Sequence, residues 1–153
     1  IGCLRKMRQS EGTAMVTELV RLLDEFARDY QSLCIIADGV NTRLREKMLA
    51  KITEMVKTVE IDEARMIQEV AFLAQRSDIT EELARLKSHI EQFQKVIASD
   101  DPVVGRRLDF LLQEMNREVN TIGSKADEID IINLVIEMKN TIGKLREQAL
   151  NLQ

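Results

Sequence analysis

Asp78, Glu82, Arg85 and His89 recur at helical spacing, and Glu114, Glu118, Thr121 and Lys125 do the same further along the chain. Projected at about 100° per residue, the first set lies on one flank of an apolar stripe of Ile79, Leu83, Leu86 and Ile90. The second set flanks a stripe of Leu108, Leu111, Leu112, Met115, Val119 and Ile122. If the two helices pack antiparallel through these stripes, an acidic flank faces an acidic flank with the chain's one histidine between them. Carboxylates gathered in this way are costly without a cation. Two or three carboxylates with a neutral imidazole suit Mg²⁺ or Mn²⁺, and the imidazole favours Mn²⁺ because magnesium prefers all-oxygen shells. Glu82, His89, Glu114 and Glu118 are therefore the candidate metal ligands, with Glu114, Glu118 and His89 as candidate acid/base groups. An ion held there would lower the pKa of its water and neutralise charge on a phosphodiester. The competing reading is ordinary ion pairing on helix surfaces. Glu82 and Arg85 stand three apart, Arg117 and Lys125 lie near Glu114 and Glu118, and spacing alone favours this plainer outcome.

The opposite flank of the later helix carries Asp109, Gln113, Asn116 and Asn120. Asn116, Asn120, Gln113 and Thr121 are mediocre helix formers, so something other than helix propensity selects them. Asn116, Arg117 and Asn120 either recognise a polar ligand or hydrogen-bond between helices or subunits. Arg106 and Arg107 open a helix just after Pro102 and Gly105, where guanidinium groups and free backbone N–H groups can meet a phosphate. A solvated helix start is the alternative, and Asp100 and Asp101 would partly cancel the field. Gly123-Ser124-Lys125 lacks the earlier glycine and the leading strand of a phosphate loop. No nucleophile elbow or zinc-ligand spacing appears, and the methionines on the stripes read as core filler.

These side chains need helices to position them, and the composition supplies helices. Only 3% of the 153 residues are aromatic and Pro102 is the one proline, a profile that favours an all-α fold over sheets. The expected architecture is a long antiparallel helical hairpin over residues 1–60, then a C-terminal helical bundle over 61–153, about five helices in all. Met15, Leu19, Leu22, Leu23, Phe26, Tyr30, Leu33 and Ala37 predict a first helix from about Met7 to Ala37. Gly39 and Asn41 supply a break, and Val40, Leu44, Met48, Ile52, Met55 and Val59 mark the second arm. A third helix is expected from about Asp62 to Ala98, continuous or mildly kinked, with Ile67, Val70 and Leu73 in phase with Ile79 and Leu83. Ser77 or Asp78, with Glu81, offers a capping alternative. Ser99 to Pro102 is a loop, a helix starts near Val103, Gly123 to Asp127 is a break, and a last helix runs from about Glu128 to Leu152.

The formal net charge of −4 argues against a general polyanion binder, so any nucleic-acid site must be local, metal-assisted or assembled across subunits. Cys3 and Cys34 form no disulfide framework, which fits a reducing cytosol. No stretch of about 18 apolar residues is present to span a membrane.

The strings RSDITEEL, RLKSH, GRRLDFLLQEMNREVNTIGSK and REQALN, which run from Arg76 to Asn151, closely resemble the C-terminal signature of the bacterial YicC-like family. Met7, Arg8, Glu11 and Gly12 resemble that family's helix opening. The resemblance implies a stress-associated, cytoplasmic endoribonuclease that assembles as a homo-hexamer around a channel and cuts RNA with a divalent metal. It also implies a strand-rich domain ahead of Met7, so the residues here are expected to be the C-terminal, helical part of a longer protein. Under it, Arg106, Arg107, Arg117 and Lys125 would hold RNA phosphates, and Asn116 and Asn120 would read base edges or sugar hydroxyls. Cleavage would use either water or the 2′-hydroxyl, with His89 or a carboxylate taking the proton. The rival functions are a non-catalytic RNA-decay adaptor, binding RNA or a partner ribonuclease such as polynucleotide phosphorylase, and a purely structural oligomerisation module.

Overall fold

The computed structural model describes residues 2–56, 64, 66–68, 70–72, 78–99 and 103–151, with side chains at 2–11, 55 and 56 left aside. The fold is all-α: α1 (Gly2–Val56), α2 (Thr80–Ile97), α3 (Val104–Lys125) and α4 (Ile129–Asn151). Residues 64, 66–68 and 70–72 are helical as well, and no strand occurs among the described residues. Helix α4 packs between α1 and α3, α3 packs on α2, and a shorter contact between α2 and α1 closes the bundle. No helix among the described residues is long and apolar enough to cross a membrane.

The stripes expected from periodicity form the core, except that Leu44, Met48 and Ile52 of the expected second arm are half-buried and stand outside it. Leu19, Leu22, Leu23, Phe26, Leu33 and Ala37 of α1 are buried with Leu86, Ile90 and Phe93 of α2. Leu108, Leu111, Leu112, Met115, Val119 and Ile122 of α3 and Ile131, Val135, Met138, Ile142 and Leu145 of α4 complete it. Full burial of each large apolar side chain contributes about 1.5–3 kcal/mol. The Tyr30 hydroxyl donates to the Leu83 carbonyl at 3.1 Å and ties α1 to α2.

Three expectations are corrected. The break at Gly39 and Asn41 does not occur: α1 runs through both, so residues 2–56 are one helix and not a hairpin. A helix-interior glycine costs only about 1 kcal/mol. Ala37 and Val40 pack on the core on either side of Gly39, which outweighs that cost. Second, Asp78 and Ile79 are not helical, so the stretch from 62 to 98 is not one continuous helix. Asp78 Oδ1 accepts the Thr80 N–H at 2.9 Å, while Glu81 pairs with Arg85 and not with the helix start. Third, Ile67 is 64% exposed, off the core stripe. The expected core positions Val59 and Leu73, the loop residue Pro102 and the terminal Leu152 lie outside the described residues.

The Asp78 carboxyl is held below its usual range, chiefly by the Thr80 hydroxyl, then by the Thr80 N–H, with help from the charge of Lys125. Its folded pKa lies below the unfolded value of about 3.9, so its contribution is present above that pH and is lost as pH falls through the folded value.

Two glycines in helices should respond in opposite ways to alanine. At Gly39 a Cβ meets nothing within 4 Å, so Gly39→Ala should raise stability by about 0.5–1 kcal/mol. At Gly123 a Cβ would come 3.0 Å from Val135 Cγ1, where α3 closely approaches α4. Val135 is buried and β-branched, so it cannot turn aside, and Gly123→Ala should cost about 1–3 kcal/mol. Thermal unfolding of the two variants checks this, and a gain at Gly123 would contradict the close-packing account.

Candidate active site

Helices α2 and α3 meet along a seam whose apolar floor is Leu86, Ile90 and Phe93 against Leu108, Leu112 and Met115. Their polar flanks run beside that floor. Glu82 and Glu118 are carried into it and are only 3% and 4% exposed. Burial of a carboxylate demands a counter-charge. Two cations supply it. Arg85 Nε lies 3.1 Å from Glu118 Oε1 and its Nη2 lies 3.5 Å from Glu82 Oε1, while Lys125 Nζ donates to Glu82 Oε1 at 2.8 Å. Lys125 Nζ also donates to the Asp78 carbonyl at 3.0 Å and so joins the end of α3 to the approach to α2. The hydrogen bond to Glu118, followed by the nearby carboxylates, raises the Arg85 pKa above its already high ordinary value, which keeps the guanidinium charged.

One turn along the seam, His89, Glu114 and Glu118 each offer a ligand atom, and the three atoms lie within 4.8 Å of one another. His89 and Glu114 are half-buried and Glu118 is buried, so the group sits at the mouth of the seam. His89 Nδ1 is buried with no hydrogen-bond partner, as is Glu82 Oε2. An imidazole that offers one nitrogen to two carboxylates, with its Nδ1 buried and unpartnered, fits a hard or borderline divalent ion, whose bonds to N and O are about 2.0–2.2 Å long. Three of the four candidate ligands converge. Glu82 stands outside the group, and its Oε1 serves Lys125 and Arg85.

The candidate phosphate holders separate. The Lys125 ammonium is committed to Glu82 and Asp78 inside the fold. Arg117 is 74% exposed, with its guanidinium 3.9 Å from Glu114. Arg106 and Arg107 line a cleft of about 540 Å³ at the other end of the seam. Asn116 is half-buried and Asn120 exposed. On their flank Gln113 donates to Asp109 at 2.9 Å, and Arg146 of α4 lies 3.1 Å from Asp109, so the face is partly used in packing α3 on α4. Sequence reasoning missed the pairing of Arg85 with Glu118. It also passed over Phe110, which is 60% exposed beside the arginines. The signal for Phe110 was its i,i+4 spacing from Arg106.

If Lys125 and Glu82 are structural partners, their loss is coupled. Lys125→Met should destabilise the protein by about 1–3 kcal/mol, because it leaves a buried carboxylate with less compensation. Adding Glu82→Gln should restore most of the loss. Urea unfolding in EDTA measures the cycle, and strictly additive losses would refute the coupling.

Residues 35–153 match the family described as "Endoribonuclease YicC-like, C-terminal". The chain is 43% identical over 151 residues to the "Probable endoribonuclease YicC" of Clostridioides difficile (strain 630), covering 98% of this chain and 51% of that protein. It is 35% identical over 147 residues to the protein of the same name from Haemophilus influenzae (strain ATCC 51907 / DSM 11121 / KW20 / Rd), covering 96% of this chain and 50% of that one. The chain thus spans about half the length of the curated relatives it matches.

Proposed function

The chain belongs to the YicC-like endoribonuclease family, and on that premise we propose that it carries the cleavage centre of an RNA-cutting enzyme, with a divalent ion held by His89, Glu114 and Glu118. The observation that supports this most directly is the convergence of those three ligand atoms within 4.8 Å, with the Nδ1 of His89 buried and unpartnered. When bound, a Mn²⁺ or Mg²⁺ ion supplies a water of lowered pKa and offsets negative charge on the phosphodiester.

The chain's own residues do the rest. Arg85 fixes the Glu118 carboxylate through Oε1, so that side chain is oriented before substrate arrives. Glu114 is half-buried and faces the mouth of the seam, where its carboxylate can accept the proton of an attacking hydroxyl. Arg117 beside it is exposed and can meet a phosphate oxygen from the solvent side. Buried Leu86, Ile90 and Met115 keep water from the rear of the cluster, which strengthens each of these electrostatic contacts. Family membership extends the proposal to a homo-hexamer acting on RNA in the cytoplasm, with polynucleotide phosphorylase as a partner to be tested by pull-down.

Glu114→Gln and Glu118→Gln in the full-length protein should lower Mn²⁺-stimulated cleavage of a defined RNA by about 10²–10⁴-fold with RNA affinity nearly unchanged. Both variants, and His89→Asn, should also lose bound Mn²⁺ measured by electron paramagnetic resonance without RNA. Normal cutting and normal Mn²⁺ uptake by all three would make the cluster structural and favour the RNA-decay adaptor.

A further inference from the structure

Glu82 stands outside the cluster of His89, Glu114 and Glu118, and only half of its carboxylate is used. The residue is 3% exposed. Its Oε1 takes Lys125 Nζ at 2.8 Å and faces Arg85 Nη2 at 3.5 Å, while its Oε2 is buried with no hydrogen-bond partner. A buried carboxylate oxygen is costly to leave unpaired, so fold stability gives no reason to keep one here.

Arg85 stands between that oxygen and the cluster. Its Nε lies 3.1 Å from Glu118 Oε1, its Nη2 looks toward Glu82, and its Nη1 reaches Glu81. At 3.5 Å the Glu82 contact is too long for a good hydrogen bond, so the guanidinium is committed to Glu118 and only leans on Glu82. Glu81 is 77% exposed, which makes it a weak competitor. The Arg85 side chain is itself 45% exposed and has room to turn.

The charges of the seam decide what this arrangement does. Among the protein groups, Glu82 and Glu118 are balanced one for one by Arg85 and Lys125. A divalent ion on His89, Glu114 and Glu118 competes with Arg85 for the Glu118 charge and repels the guanidinium across a poorly screened site. The unclaimed acceptor beside Arg85 is Oε2 of Glu82, on the carboxylate that Nη2 already faces.

We propose that Glu82 is a positioning residue for the ion: as the ion takes Glu118, Arg85 releases Glu118 and closes onto both oxygens of Glu82 in the bidentate pairing that guanidinium and carboxylate favour. The inference rests on the reading of a metal-dependent centre and adds how its affinity is set. Arg85 holds Glu118 in place for the ion and yields it on binding, and Glu82 is the group that makes yielding favourable. A residue that never touches the ion thereby governs how tightly it is held.

The test measures Mn²⁺ uptake by the full-length protein without RNA, using electron paramagnetic resonance, for the parent, Glu82→Gln, Arg85→Gln and the double variant. Glu82→Gln should weaken Mn²⁺ binding by about 5- to 150-fold, the usual range of coupling between sites. Made on top of Arg85→Gln, the same change should have no further effect, because the guanidinium it acts through is gone. An equal loss in both backgrounds means that Glu82 acts by its field alone, and unchanged binding in Glu82→Gln means that it does not act on the ion; either result overturns the proposal. A second measurement does not depend on how the variants fold. In crystals of the parent grown with Mn²⁺, Arg85 should lie within about 3 Å of Glu82 Oε2 and off Glu118. Mn²⁺ on His89, Glu114 and Glu118 with Arg85 still bonded to Glu118 overturns the proposal and leaves the metal-centre reading standing. A parent that takes up no Mn²⁺ at this cluster overturns both.

Discussion

Two carboxylates buried between helices impose the main constraint on this protein. Glu82 and Glu118 enter the α2–α3 seam because they lie one step off the apolar stripe that drives the helices together, and neither can be charged there alone. Arg85 and Lys125 resolve the conflict from opposite sides, one within α2 and one from the last turn of α3. The register of the seam follows. A slip of one turn would leave Lys125 beyond Glu82 and would part Arg85 from Glu118, so the ion pairs specify an alignment that Leu, Ile and Met side chains alone would leave loose. Breaking such pairs is expensive even where forming them adds little, which is how charge selects one packing among several apolar ones.

Much of this was legible. Helical projection placed His89, Glu114 and Glu118 on facing flanks, and the structure brings their ligand atoms together because antiparallel packing across a short connection leaves little choice of partner. Projection fails where two groups on one flank compete for different neighbours. Lys125 shares its flank with Glu114 and Glu118, yet it turns to Glu82 and the Asp78 carbonyl because it stands at the helix end where those groups arrive. The order of partners along a seam depends on the axial offset of two helices, which periodicity does not encode.

Gly39 illustrates a second limit. Local chemistry marks it as a break, but the cost of one glycine is small beside the apolar contacts that α1 makes through Ala37 and Val40. Asp78 shows the reverse case. Its side chain competes successfully for the Thr80 N–H, and a segment that looked continuous in its apolar phase is interrupted without Gly or Pro. Phe110 went unnoticed because a lone aromatic off the stripe carries no periodic signal, and only the surrounding cations make its exposure informative.

The bond from Lys125 Nζ to the Asp78 carbonyl brings together the points where the chain enters and leaves the α2–α3 hairpin. Such a segment is a loop closed at its own base, with contacts that are near in sequence, whereas α1 must find α4 across roughly a hundred intervening residues. Closing the shorter loop costs less chain entropy, which favours closure of the hairpin ahead of the docking of α1. His89, Glu114 and Glu118 would then be assembled early, before the long helix docks, and their geometry would be inherited by the rest of the molecule rather than imposed by it.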